Sequence, residues 1–171
     1  MKFIFLLPVF LAALLLSACA AGPAVKQGAN PNVDYQGFAA LVGDLEAYRE
    51  KRLIDVETFL RYAASSDTII LDSRSAEAFA RGHIEGAVNL PFSDFTQEKL
   101  DKLLGGKSQR ILIYCNNNFE DNIEPVLLKR VELALNIPTF INLYGYGYKN
   151  IYELEEVISV TDQRIRFIRS S

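Results

Sequence analysis

The residue best suited to chemistry in this sequence is Cys115, which ends an apolar run and opens a polar loop. Residues 111–122 read ILIYCNNNFEDN. An apolar run without alternation predicts a strand buried on both faces, as in a parallel sheet covered by helices. Cys115 would then lie at the carboxyl end of that strand, where open α/β sheets place their sites. The thiol either acts as a nucleophile or only finishes a buried strand, and this stretch alone favours neither interpretation.

The residues after the loop predict a helix. Pro125 suits a first helical turn. The apolar residues that follow recur at helical spacing, namely Val126, Leu127, Val131 and Leu135. The N–H groups of the loop and of this helix would then face the sulfur and favour its thiolate.

The rest of the sequence predicts strands that alternate with helices. Helices are expected over residues 38–52, 55–62, 75–80, 96–105 and 150–158. Strands are expected over 53–54, 68–71, 88–90 and 139–143, with an edge strand over 164–169. This order predicts an α/β fold, with an open parallel sheet of about five strands and helices on both faces.

Composition indicates one globular domain over residues 37–171. Half of the residues are hydrophobic, the net charge is −3, and the basic residues are scattered. A basic patch is expected of nucleic-acid-binding proteins, so no nucleic acid is predicted as a partner. One His and one unlipidated Cys cannot supply a zinc shell, and neither a metal nor another cofactor is predicted.

The N-terminal segment is typical of an exported protein. A basic start and a continuous apolar run predict a signal peptide over residues 1–18. The sequence LSAC, ending at Cys19, resembles the bacterial lipobox and implies that Cys19 is lipidated; a plain signal peptide is the alternative. Ala20 resembles the outer-membrane version of the sorting rule. With residues 19–36 as a flexible tether, we expect a lipid-anchored protein of the cell envelope, at the outer membrane facing the periplasm.

A second motif lies upstream of the cysteine, where residues 71–91 read LDSRSAEAFARGHIEGAVNLP. The order Asp-x-Arg, Glu, an aromatic residue and then Gly-His-Ile-x-Gly-Ala-x-Asn-Leu-Pro resembles the signature of the rhodanese domain. The position of Cys115 at the end of the next buried strand also fits that family. The resemblance covers about residues 53–159 and implies a rhodanese-like sheet.

For Cys115, the resemblance implies a nucleophile that takes a sulfane sulfur from a donor such as thiosulfate and passes it to an acceptor thiol or cyanide. The loop would supply the substrate-binding groups, from Asn116, Asn117, Asn118, Phe119, Glu120, Asp121 and Asn122. The signature supplies residues with a structural role, namely Asp72, Arg74, Gly82, His83 and Gly86. His83 is the one imidazole available as a base, but the resemblance implies a structural role for it.

The cysteine loop departs from the family pattern, in which the loop contains small residues and closes on Arg. Here it has neither Arg nor Gly and carries Glu120 and Asp121. Each acidic group close to a thiolate would oppose it by about 1 to 4 kcal/mol. Lys129 and Arg130 are expected to lie too far from the sulfur to replace the missing Arg. The longer loop resembles the phosphatase and arsenate-reductase branch of the fold, which also requires that Arg.

Tyrosines and glycines alternate over residues 144–148, after the predicted fifth strand. Tyr146 and its neighbours would either form an aromatic wall beside the cysteine loop or pack at the edge of the domain.

Three functions follow. The first is a membrane-tethered sulfurtransferase or persulfide carrier whose partners are a small sulfur donor or an acceptor thiol. The second is a binding module that has lost turnover, with an envelope protein as candidate partner. The third, thiol redox chemistry, would need a resolving cysteine from outside the chain.

Overall fold

A computed structural model describes residues 30–169 of the chain. Residues 30–34 belong to a unit that ends at Asp34, and the helices and strands described below lie in the unit that begins at Tyr35. The helices are α1 (Tyr35–Glu50), α2 (Val56–Ala63), α3 (Ala76–Arg81), α4 (Gln97–Leu104) and α5 (Asn136–Gly145). The strands are β1 (Leu53–Ile54), β2 (Thr68–Asp72), β3 (His83–Ile84), β4 (Ala87–Asn89), β5 (Arg110–Tyr114), β6 (Ile151–Leu154) and β7 (Phe167–Ile168).

Five of the strands form a parallel sheet in the order β1-β6-β5-β2-β4. The central strand, β5, sends Ile111 and Ile113 into a core shared with α1, α4 and α5. Its alternate residues, Leu112 and Tyr114, enter a second core with α2. The sheet is therefore covered by helices on both faces, which confirms the predicted fold class.

Side chains that the sequence indicates as helix caps take that role. Asp55 accepts a hydrogen bond from the N–H of Thr58 at 2.7 Å, and Ser75 accepts one from the N–H of Ala78 at 3.2 Å. Gly105 follows α4 with φ of 71°, a left-handed conformation that glycine adopts readily. Helices α2, α3 and α4 therefore begin and end close to the predicted positions.

The prediction is wrong between residues 124 and 158. The helix expected after Pro125 is replaced by an extended segment with one short 3₁₀ turn, Val131–Leu133. Helix α5 occupies the place of the predicted strand 139–143, and strand β6 occupies that of the predicted helix 150–158. A short apolar run does not distinguish a buried strand from a buried helix. This ambiguity explains why a helix stands where the strand 139–143 was predicted.

The motif glycines bring β3 beside β7 in a separate antiparallel ladder. A Cβ atom at Gly82 would lie 2.3 Å from Cε1 of Phe167, so only glycine leaves room for this ring. Gly86, in the turn between β3 and β4, has φ of 83°. Both glycines therefore lie where a side chain would be crowded or would strain the backbone.

The predicted signal peptide, Cys19 and residues 20–29 of the tether lie outside the described residues. Within residues 30–169, no helix is long and apolar enough to cross a membrane.

Candidate active site

Cys115 follows β5 directly, at the carboxyl edge of the sheet, and its side chain is almost completely buried. It lines a cavity of about 330 Å³, a volume in the range of small-molecule sites. Asn116 is the one residue of the predicted substrate-binding loop that lines this cavity. The wall also includes three serines, an aromatic ring and two cations, namely Ser73, Ser75, Ser93, Phe92, Arg74 and Lys129. Cys115 thus lies at the wall of a cavity that both polar and apolar side chains line.

Burial raises the pKa of the Cys115 thiol above its ordinary value. The N–H groups of Asn117, Asn136 and Leu135 act in the opposite direction, and the Glu153 carboxylate adds to the increase. The N–H of Asn117 donates to Sγ at 3.3 Å. The helix whose first turn faces the sulfur is α5, not one that begins directly after the loop. Donors therefore surround the sulfur and favour its thiolate as expected, but burial outweighs them and the net pKa of the thiol is raised.

Asn118 supports the backbone of the site from within the protein and is buried. Its Oδ1 accepts hydrogen bonds from the N–H of Cys115 at 2.9 Å and from Nδ2 of Asn136 at 3.0 Å. Its Nδ2 donates to the carbonyls of Leu154 at 2.7 Å and Glu156 at 3.2 Å. Asn118 therefore joins the cysteine loop to α5 and β6, and it does not line the Cys115 cavity.

Three other loop asparagines bind the backbone of residues 126–130, an extended segment that we call the strap. The bonds join Asn116 Nδ2 to the Leu127 carbonyl (2.8 Å), Asn122 Oδ1 to the Leu128 N–H (2.9 Å), and both polar groups of the Asn117 amide to Lys129 (3.1 and 2.8 Å). These bonds fix the strap across the loop. The strap brings Lys129 to the wall of the Cys115 cavity, a position that helical spacing does not indicate.

The remaining loop residues predicted to bind substrate lie outside the wall of the Cys115 cavity. Phe119 is fully buried in the core. Glu120 is exposed, and Asp121 accepts hydrogen bonds from the Val160 N–H at 2.8 Å and the Ser159 hydroxyl at 3.2 Å. The two acidic side chains are thus directed away from the sulfur, and Glu153 is the carboxylate that influences its pKa.

Tyr146 lies just after α5, away from the Cys115 cavity. Its hydroxyl donates to the Phe95 carbonyl at 3.1 Å. It lines a separate cavity of about 220 Å³ together with Phe38 and Leu41. The structure therefore agrees with packing at the edge of the domain and not with an aromatic wall beside the cysteine.

Asp72 and Arg74 form a buried ion pair that organises the loop after β2. The Arg74 guanidinium donates to Asp72 at 2.6 Å and to the Gly82 carbonyl at 2.7 Å, and the Tyr114 hydroxyl donates to Asp72 at 2.6 Å. These bonds leave Nη1 of Arg74 with only long contacts, such as the one of 3.4 Å to Asn116. Arg74 thus has a structural role and also contributes charge to the cavity wall.

His83 packs inside the motif and does not face the sulfur. Its ring stacks on Phe79 with centroids 3.7 Å apart, and its Nδ1 lies 2.8 Å from the Phe79 carbonyl. Across residues 30–169, no three His, Cys, Asp or Glu side chains are grouped so that they could hold a metal ion. In this position His83 packs against Phe79 of α3.

Comparisons with known proteins add the following findings. The family model described as "Rhodanese-like domain" matches residues 39–159. Among solved structures, BH2092 from Bacillus halodurans is similar at 20% identity and a TM-score of 0.46, covering 67% of this chain and 77% of that chain. The protein hp1203 from Helicobacter pylori is similar at 20% identity and a TM-score of 0.45, covering 71% of this chain and 93% of that chain.

A structure described as a rhodanese with anions from E. coli is similar at 17% identity and a TM-score of 0.40, covering 60% of this chain and 98% of that chain. The comparison with curated proteins finds no significant match. The family match includes the signature at residues 71–91, the central strand and Cys115. The chain therefore belongs to the rhodanese-like domain family.

Proposed function

We propose that the protein is a sulfurtransferase or persulfide carrier of the cell envelope, with Cys115 as its nucleophile. The observation that carries this proposal is the position of Sγ, at the wall of a cavity of about 330 Å³ and close to three backbone donors, the N–H groups of Asn117, Leu135 and Asn136. Backbone donors held in place before the reaction stabilise anionic sulfur without reorganisation. The same donors serve the thiolate and the persulfide that replaces it.

The reaction has two displacement steps. The Cys115 thiolate attacks the outer, sulfane sulfur of the donor, and a new S–S bond forms at Sγ. The S–S bond of the donor breaks, and its electron pair leaves with the remainder of the donor, which is sulfite when the donor is thiosulfate. An acceptor thiolate or cyanide then attacks the terminal sulfur of the persulfide, and Cys115 is released as a thiolate. The proton of the resting thiol passes to solvent.

The location is proposed from the sequence. A signal peptide over residues 1–18, lipid on Cys19 and a tether over residues 19–36 would hold the domain at the outer membrane, facing the periplasm. The partners there would be a small sulfur donor or an acceptor thiol. In an oxidising compartment, the burial of Cys115 protects the thiol from chance disulfide exchange.

A second candidate, a binding module without turnover, is favoured by the raised pKa of the Cys115 thiol. A thiol with a raised pKa is mostly protonated near neutral pH, and the thiol is a poorer nucleophile than the thiolate. In this case the cavity would hold a small ligand or an envelope protein.

A turnover assay separates the two functions. The protein carries Cys19→Ser so that Cys115 is its single thiol, and thiosulfate is supplied with cyanide or a small thiol as acceptor. The proposal expects product formation that is lost in Cys115→Ser. A rate equal to that of Cys115→Ser with every acceptor, together with alkylation of Cys115 only on unfolding, would favour the binding module.

A further inference from the structure

The strap places a cation at the Cys115 cavity. Lys129 lines the cavity, and its ammonium group makes no ion pair or hydrogen bond within residues 30–169. The next residue, Arg130, pairs with Glu132 at 3.5 Å and does not line the cavity. Two adjacent basic residues therefore differ in position, and only Lys129 offers an unpaired charge to a ligand.

Asn117 connects Lys129 to the sulfur. Its Oδ1 accepts from the Lys129 N–H at 3.1 Å, and its Nδ2 donates to the Lys129 carbonyl at 2.8 Å. These two bonds satisfy both backbone groups of Lys129 in the manner of a strand pair. The backbone N–H of Asn117 donates to Cys115 Sγ at 3.3 Å. One residue thus holds both the sulfur and the backbone of the lysine.

The charge balance of the cavity favours an anion. Its wall includes Arg74 and Lys129 and, among the described residues, no carboxylate side chain. The charge of Arg74 is largely offset, because it is buried against Asp72 with a shortest contact of 2.6 Å. The uncompensated charge at the cavity is therefore that of Lys129.

We infer that Lys129 binds the negatively charged end of the ligand and that Asn117 is the positioning residue that holds it there. The cavity therefore selects anionic ligands over neutral ones of the same shape. The identity of that ligand as a sulfur donor or acceptor rests on the proposed function, whereas the preference for anions does not require turnover.

The first test compares alkylation of Cys115 by iodoacetate, an anion, and by iodoacetamide, its neutral counterpart. All proteins carry Cys19→Ser and are compared at one pH. In Lys129→Gln, the ratio of the iodoacetate rate to the iodoacetamide rate should fall about tenfold, the usual effect of one hydrogen bond to a charged group. Lys129→Arg should keep the ratio within about threefold of the parent, since it keeps the charge. Arg130→Gln removes the same charge one residue away and should leave the ratio unchanged.

Asn117→Ala tests the positioning role, because Lys129 remains but loses its two backbone partners. The ratio of the iodoacetate rate to the iodoacetamide rate should fall severalfold. Equal ratios in Lys129→Gln and Arg130→Gln would overturn the inference. An unchanged ratio of the iodoacetate rate to the iodoacetamide rate in Asn117→Ala would overturn the positioning role of Asn117.

If neither reagent reaches Cys115 in the folded protein, calorimetric titration of Cys115→Ser with thiosulfate replaces the alkylation test. Affinity should fall about tenfold in Lys129→Gln and should not change in Arg130→Gln. No binding to Cys115→Ser at millimolar thiosulfate would also overturn the inference. If the protein transfers sulfur and the transfer does not depend on Lys129, the proposed function stands and the inference fails. If anion binding depends on Lys129 but the protein transfers no sulfur, the inference stands and the proposed function fails.

Discussion

Replacing Asn118 by alanine should destabilise the domain more than replacing any other asparagine of the cysteine loop. Asn118 is 4% exposed. Its amide makes four hydrogen bonds, which join Cys115 and Asn136 to Leu154 and Glu156. Alanine would leave the N–H of Cys115 and two carbonyls without their partners inside the protein.

The size of the effect follows from these bonds. Each is worth about 1 kcal/mol net, and buried groups left unpaired cost at least as much, so the loss should be about 3 to 4 kcal/mol. Asn116→Ala is the matched control, because Asn116 is only half-buried and makes its one short side-chain bond to Leu127 at 2.8 Å. That change should cost about 1 kcal/mol or less.

Urea denaturation followed by far-ultraviolet circular dichroism would measure both free energies of unfolding, with the slope checked for constancy. A loss below about 1 kcal/mol in Asn118→Ala, or one equal to that of Asn116→Ala, would refute the claim that this amide holds the site together.

Three further changes have expected outcomes. Arg74→Met should lower the free energy of unfolding by about 3 to 5 kcal/mol, because it leaves the Asp72 carboxylate buried without its cation. Urea denaturation measures this loss, and a value below about 1 kcal/mol would contradict the prediction. Gly82→Ala should cost about 1 to 3 kcal/mol by displacing the Phe167 ring, and a melting temperature equal to the parent's would contradict it. Burial raises the pKa of the Cys115 thiol, so the folded protein keeps a proton that the unfolded chain loses above about pH 8.5. The free energy of unfolding should therefore fall as the pH rises above that value. The difference between the pH profiles of the parent and of Cys115→Ser isolates the contribution of the thiol, and identical profiles would refute the prediction.

The first part of the fold could be predicted because its signals are local. Asp55 and Ser75 cap helices at the predicted positions. The apolar run of β5 forms a strand buried on both faces, as its lack of alternation predicts. The signature at residues 71–91 supplied the family independently of these elements.

Helix α5 and strand β6 differ from the prediction because the local signals in this part of the sequence are compatible with either a helix or a strand. Proline inside an apolar run argues against a helix, but Pro138 lies in the first turn of α5, where the missing N–H of proline is not needed. Asn150 and Glu153 have the spacing of a capping box, yet Glu153 is a buried residue of β6 that pairs with Arg49 at 2.5 Å. The residues around Glu153 in the sequence do not indicate a partner as distant as Arg49.

The strap could not be predicted for a different reason. Its apolar residues recur at helical spacing, but only Val126 enters the core, whereas Leu127 is 48% exposed and Leu128 is 42% exposed. One buried residue does not provide the apolar face that would stabilise a helix there. The side chains of Asn116, Asn117 and Asn122 bind its backbone instead. Two members of the asparagine run, Asn116 and Asn117, therefore bind the strap, whereas the third, Asn118, binds the backbone of the cysteine loop.

The most direct test of the central claim is a search for a persulfide on Cys115. Cys19→Ser protein is mixed with excess thiosulfate, quenched and examined by intact mass and peptide mapping, with Cys115→Ser in parallel. The account predicts a mass gain of one sulfur atom, located at Cys115 and removed by cyanide or a thiol. No mass gain in a protein that is folded, and whose Cys115 is shown to be reduced, would contradict the assignment of Cys115 as the sulfur-transferring nucleophile.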